Sequence, residues 1–175
     1  ETLKGHGVKK VVTNCPHCLN TLKNEYPAFG GDFEVVHGTE LVAKLMADGK
    51  LKLEQTVEAD LTYHDPCYLS RINGQVEAPR AILDAIPGVK LTEMEKHGEA
   101  TMCCGAGGGR FWLEEHLGKR VNHERFEQAL ETKATTIAVG CPFCNVMLNN
   151  AAGETNHEGV TTTDVLELAA KALKA

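Results

Sequence analysis

The sequence predicts an α/β fold: parallel-sheet βα units in tandem repeats, the first repeat incomplete. Three observations lead there. Short apolar runs alternate with amphipathic segments of helical period along the 175 residues, the signature of a mostly parallel sheet with helices packed on it. A segment near the start reappears near the end. Several of the seven cysteines directly follow the candidate strands.

Taken in order, Val8 to Thr13 (VKKVVT) reads as a strand running into Cys15-Pro16-His17-Cys18 and a helix to about Tyr26. Proline suits the first helical position because its missing N–H has no partner there anyway. Phe33 to His37 is a second strand, and Thr39 is the expected cap of a helix with Leu41, Val42, Leu45 and Met46 on one face. Residues 47–60 are polar and read as a connection. Leu61 to Asp65 is a strand ending at Pro66-Cys67; Ala78 to Ile86 is a helix stopped by Pro87-Gly88; Val89 to Met94 is a strand. The run TMCCGAGGGRFW (Thr101 to Trp112) is a loop, and Arg110 to Thr132 reads as one long helix, with Phe111 and Trp112 packing it onto the sheet. Thr135 to Gly140 is a strand, Cys141 to about Asn150 a helix, and Thr163 to Leu173 the last helix.

VVTNCPHCLNTL (Val11 to Leu22) matches IAVGCPFCNVML (Ile137 to Leu148) at an offset of 126 residues. Downstream, HGTELVAKL resembles TTTDVLELA, with Thr39-Glu40 set against Thr163-Asp164. The chain therefore divides into residues 1–55, the C-terminal part of a first repeat, and residues 56–175, a complete second one. The start lacks an initiator methionine, and the expectation is a processed chain or part of a longer polypeptide.

Composition narrows the function. The chain is 42% hydrophobic and 24% charged, with a net charge of -6. That argues against a nucleic-acid binder, which shows a basic face. No apolar run approaches the ~20 residues that cross a bilayer, so direct membrane insertion by this segment is not expected, and ETLKGHGVKK has no signal-peptide core. An odd cysteine count without a secretion signal points to metal binding or thiol chemistry in a reducing, cytoplasmic compartment.

In the second repeat Cys67 is separated by 35 residues from Cys103-Cys104, and that pair by 36 from Cys141-x-x-Cys144. Parallel strands bring their carboxyl ends to one edge, where ligands gather, so five thiols from three loops can converge. Adjacent cysteines seldom reach one metal ion but readily reach two irons. Five thiolates thus suit a polynuclear iron–sulfur cluster better than a tetrahedral ion. Cys15 and Cys141 also sit at expected helix N-termini, which favour the thiolate. Gly105, Gly107, Gly108 and Gly109 permit positive φ and close approach. Their N–H groups could form a nest for an anionic cofactor. His64 and Asp65 are candidates for donating to a cluster sulfur or handling a proton, or else for capping a loop. His17 is as readily solvent-facing.

Three other readings compete. A nucleotide loop fails because Arg110 stands where a dinucleotide fingerprint needs its third glycine. A thioredoxin-like dithiol is disfavoured by the repeated motif. A zinc-stabilised interaction module without redox activity is the strongest alternative, yet four thiolates on zinc would leave Cys67 and the Cys103 pair unexplained.

The pattern Cys67 … Cys103-Cys104-Gly105 … Cys141-Pro142-Phe143-Cys144 resembles the cysteine-rich CCG domain of the heterodisulfide reductase B/D-subunit family. NCPHCLNTLKNEYP, YHDPCYLSR and CCGAGGGRFWLEEHLGKRVNHER look closest to the C-terminal part of large iron–sulfur oxidoreductases linked to electron-transferring flavoproteins. The resemblance implies a [4Fe-4S] cluster, noncubane or cubane, on Cys67, Cys103, Cys104, Cys141 and Cys144. Cys15 and Cys18 would belong to a second cluster completed by cysteines outside this chain. It further implies an electron-transfer role between a flavoprotein or a thiol/disulfide substrate and a quinone or ferredoxin-type partner. The location implied is cytoplasmic, at the face of the membrane through a partner or an upstream segment.

Overall fold

The computed structural model describes residues 1–113 and 116–174. After a single helical turn (Thr2–Gly5), β1 (Lys10–Thr13) leads into α1 (Pro16–Asn20), and β2 (Glu34–His37) into α2 (Gly38–Ala47). Then come β3 (Ala59–His64), α3 (Glu77–Ala85) and β4 (Val89–Leu91), followed by α4 (Val121–Glu131), β5 (Thr136–Val139), α5 (Pro142–Glu154), β6 (Thr161–Asp164) and α6 (Val165–Ala172). Among the described residues there are two sheets, β1-β2 and β4-β3-β5-β6, and every named strand pair is parallel. The fold is α/β, and no helix among the described residues is long and apolar enough to cross a membrane.

Both central strands read as apolar because both their faces are covered. Ile137, Val139, Leu148 and Ala151 pack with Phe126 and Met147 on one side. Leu61, Tyr63, Ile82, Leu83 and Leu168 form the core on the other. Each fully buried large apolar side chain contributes roughly 1.5–3 kcal/mol relative to exposure. The first unit is not separate from this body. Val42, Ala43 and Met46 of α2 join the second core, and Leu19 of α1 meets Leu69 beside Cys67. Gly38 marks the tightest approach, since a Cβ there would lie 2.1 Å from Asn14 Oδ1 and 2.6 Å from Leu166 Cδ1.

Four expectations are corrected. The long helix from Arg110 to Thr132 does not form. Gly107–Trp112 is a 3₁₀ turn with left-handed Gly108 and Gly109, Gly118 is left-handed at φ +68°, and α4 begins only at Val121. Glu114 and Glu115 of that expected helix lie outside the described residues. Trp112 is 79% exposed and stacks edge-on to Phe111, which meets Phe143, so Trp112 does not pack onto the sheet. The cap of α2 is His37, whose side chain accepts from the Thr39 N–H. Finally, Thr161–Asp164 is a parallel strand, and Asp164 rather than Thr163 caps α6 through the Leu166 N–H. The strand registers pair position 10 with 34 and position 136 with 161. His37 therefore corresponds to Asp164, three places away from the match read in the sequence.

Candidate metal centre

The cysteines gather where the fold predicts, beyond the carboxyl ends of the strands. Cys15 and Cys141 each stand immediately before the proline that opens α1 and α5, as N-cap residues with extended backbone. Cys67 opens a wide π-helical turn, Tyr68–Ile72. The Cys103-Cys104 loop is held to that turn from outside. Arg71 Nε donates to the Glu99 carbonyl at 3.0 Å, and its Nη2 donates to the Thr101 carbonyl. Thr101 Oγ1 in turn donates to the Asp65 carbonyl at 3.0 Å.

The sulfurs interact pairwise from one loop to the next: Cys67 and Cys104 with Cys103, Cys144 with Cys104 and Cys141, His17 with Cys141 and Cys15, and Cys15 with Cys18. Hydrogen bonds from Cys104 and Cys67 hold the Cys103 thiol far below its ordinary range, and the N–H groups of Gly105 and Gly107 help. The Gly105 N–H lies 3.3 Å from Cys103 Sγ. Donation to Cys103 pushes Cys104 up to about 12, although Cys144 and the Ala106 N–H work against this. Cys144, set between Cys104 and Cys141 in full burial, is raised well above an ordinary thiol. A bond from Cys144 lowers Cys141 to about 5, with His17 and the N–H groups of Phe143 and Cys144 assisting. Burial alone would raise Cys15, but bonds from His17 and the α1 N-terminus outweigh it.

Of the seven thiols, Cys103 and Cys141 are the two most strongly favoured as thiolates, each with backbone N–H groups beside it. Cys104, Cys141 and Cys144 are buried, Cys67, Cys103 and Cys15 partly so, and Cys18 is exposed. Of the glycines, Gly105 (φ +93°) and Gly107 supply N–H groups to sulfur, and a Cβ on Gly105 would press within 3.1 Å of the Asn122 nitrogen. Gly108 and Gly109 make a left-handed turn with open space around them.

His17 is not solvent-facing. Its ring lies 4.4 Å from that of Tyr68 and 5.5 Å from that of Phe143, and its bonds to Cys141 and then Cys15 raise it to about 9. Asp65 is fully engaged. Arg80 grips its carboxylate at 2.8 Å through both terminal nitrogens, and the Gly98 N–H donates to it at 2.7 Å. Arg80 also holds Glu93 and lies over the Tyr63 ring.

His64 is fully buried at the end of β3. Burial and then the Arg125 guanidinium lower it to about 3, so the ring is neutral. The nearest ligand atoms of His64, Cys104 and Cys144 lie within 4.8 Å of one another. Sequence reasoning passed over Arg125. Yet Asn122, Arg125, Phe126 and Ala129 all line the buried side of α4, and a charge inside that i, i+3, i+4, i+7 stripe was the available signal.

This α/β body gathers its thiols beyond one edge of the sheet, and a family model of such cysteine-rich domains matches it. The cysteine-rich domain called CCG matches residues 61–149, about half of the chain, and the chain belongs to that family. Among its relatives, the probable iron-sulfur-binding oxidoreductase FadF of Bacillus subtilis is 48% identical over 95% of this chain and 24% of its own length. The EtfAB:quinone oxidoreductase of Syntrophomonas wolfei is 43% identical over 99% of this chain and 25% of its own length. One polypeptide of the dihydromethanophenazine:CoB–CoM heterodisulfide reductase of Methanosarcina barkeri is 38% identical over 99% of this chain and 43% of its own length. The chain spans only about a quarter of the first two relatives and less than half of the third.

Proposed function

We propose that residues 56–175 hold a [4Fe-4S] cluster through Cys67, Cys103, Cys104, Cys141 and Cys144, and that the segment transfers electrons within a larger oxidoreductase. The observation that carries this is the gathering of these thiols from three loops beyond the strand ends, with the Gly105 N–H 3.3 Å from Cys103 Sγ. Such donors suit an anionic cluster. Five sulfur donors are one more than a cubane accepts, which favours an open, noncubane arrangement.

A cluster bound there would supply one-electron chemistry. The chain's own residues do the rest. Cys104, Cys141 and Cys144 keep the site in low dielectric. Gly105, Ala106 and Gly107 donate to sulfur without a side chain in between. Arg71, Thr101 and Asp65 fix the loops so that little rearranges when charge changes. Cys15 and Cys18, in residues 1–55, contribute to a second cluster completed by cysteines outside this chain, and His17 links the two sets.

The partners that fit are a flavoprotein or thiol/disulfide substrate on one side and a quinone or ferredoxin-type acceptor on the other. The names of the relatives, quinone oxidoreductase and heterodisulfide reductase, support this pairing. A cytoplasmic position at the membrane face, reached through a partner or another segment, follows from the same reading. Anaerobic measurement of iron, acid-labile sulfide and zinc, with EPR in both redox states, tests it. About four irons and four sulfides with a signal in one state is expected. Stoichiometric zinc without sulfide would leave an interaction module in its place.

A further inference from the structure

Behind the thiols lies a buried cation that donates to neutral acceptors. Arg125 is 0% exposed. Its Nη1 donates to the Lys96 carbonyl and to Gln128 Oε1, both at 2.9 Å, and its Nη2 to Thr101 Oγ1 at 3.4 Å. Its Nε donates to His64 Nδ1 at 2.9 Å.

That last contact fixes a proton. A guanidinium has five N–H donors and no acceptor, so Nδ1 of His64 must present its lone pair. A neutral imidazole with a free Nδ1 carries its hydrogen on Nε2. His64 Nε2 is buried and has no hydrogen-bond partner among the described residues. A buried N–H without an acceptor costs about 1–3 kcal/mol, and the sulfurs of Cys104 and Cys144 lie within 4.8 Å of the His64 ring.

We propose that Arg125 locks His64 as an N–H donor to the sulfurs at Cys104 and Cys144, and that this pair raises the reduction potential of the cluster without ligating it. The inference rests on the iron–sulfur reading above. Ligation through Nε2 would need both ring nitrogens free of protons while Nδ1 still accepts from Arg125, which is an imidazolate. The donor and the cation behind it would act on charge: a cluster held beside Cys104 and Cys144 would supply one-electron chemistry, and the His64 N–H with the Arg125 charge behind it would favour its reduced, more negative state. No proton changes place. His64 touches the cofactor, whereas Arg125 is a positioning residue that acts through it.

The test is an EPR-monitored redox titration of the full iron-loaded protein as native, His64→Leu and His64→Gln, with iron and sulfide counted in each. Glutamine can accept from Arg125 and still donate toward sulfur. In His64→Leu the iron content should equal the native value, and the reduced-to-oxidised ratio at the native midpoint should fall about tenfold, which is 59 mV for a one-electron couple. His64→Gln should recover most of that shift. Full iron with an unmoved potential overturns the proposal, as does loss of iron from both variants, which would make His64 a ligand. Pulsed EPR of the native protein and both variants gives a second answer. An exchangeable proton coupling that is present in the native protein and in His64→Gln but missing from His64→Leu supports the donor; a strongly coupled directly bound nitrogen in the native protein, or the same exchangeable couplings in all three, overturns it. Native protein with no iron and sulfide overturns the parent reading along with this one.

Discussion

The two Cys-Pro-x-Cys units have the same local design and different fates. In each, a strand ends at a cysteine N-cap, proline opens a helix, and a second parallel strand leads to a side-chain-capped helix. The strand β5 is flanked by β3 and β6, and Ile137, Ala138 and Cys141 are all 0% exposed. The strand β1 pairs with β2 alone, Val12 is 47% exposed and Cys18 lies at the surface. Local sequence sets the strand, turn and helix. Burial, and with it the electrostatics of the thiols, comes from what lies alongside.

The largest contrast should appear in metal retention. Cys144→Ser removes the buried sulfur between Cys104 and Cys141 and should abolish iron binding, whereas Cys18→Ser should leave about four irons. Equal losses on anaerobic iron assay would erase the distinction between the units. Next in size is the core. Ile137→Ala should cost roughly 2–4 kcal/mol, while Val12→Ala, half in solvent, should stay near 0.5 kcal/mol, as read from urea midpoints at unchanged slope.

The smallest effect separates the caps. His37 caps as a neutral acceptor, and burial depresses its folded-state pKa below 6.5. The unfolded chain therefore takes up the proton first. Stability from this group is complete above about pH 6.5 and falls as the pH drops toward the folded value. His37→Asn keeps an oxygen acceptor that does not titrate, so its stability profile should be flatter over that range. Buried His64 contributes a loss of the same sign to both proteins, and the difference between the two profiles isolates His37.

The repeated motif made the parallel α/β order legible, and with it the placing of cysteines just beyond the strand ends, because glycine and proline punctuate strand ends by simple steric rules. What stayed hidden depended on tertiary context. The strand at Thr161–Asp164 carries threonines and an aspartate, and only pairing with β5 makes it a strand. The charged run from Arg110 has helical period, but left-handed glycines at 108, 109 and 118 break it. The cap at His37 is masked by the threonine two places on, since histidine is not an expected cap. Arg125 reads as one more surface charge on a polar helix until α4 turns it inward.

The pairing of β3 with β5 sets His64 opposite Val139, although they are 75 residues apart in the chain. Cys67 and Cys141 hang from the ends of these two strands, so neither can find the other through local folding. The site is among the last things the chain completes, after its slowest, least local contacts have formed. Until then the thiols are spread along an open polypeptide, exposed to oxidant and to stray metal. Loading with iron and sulfide is therefore a step that waits for the finished sheet, and a cell making this protein must keep its cysteines reduced for that whole interval.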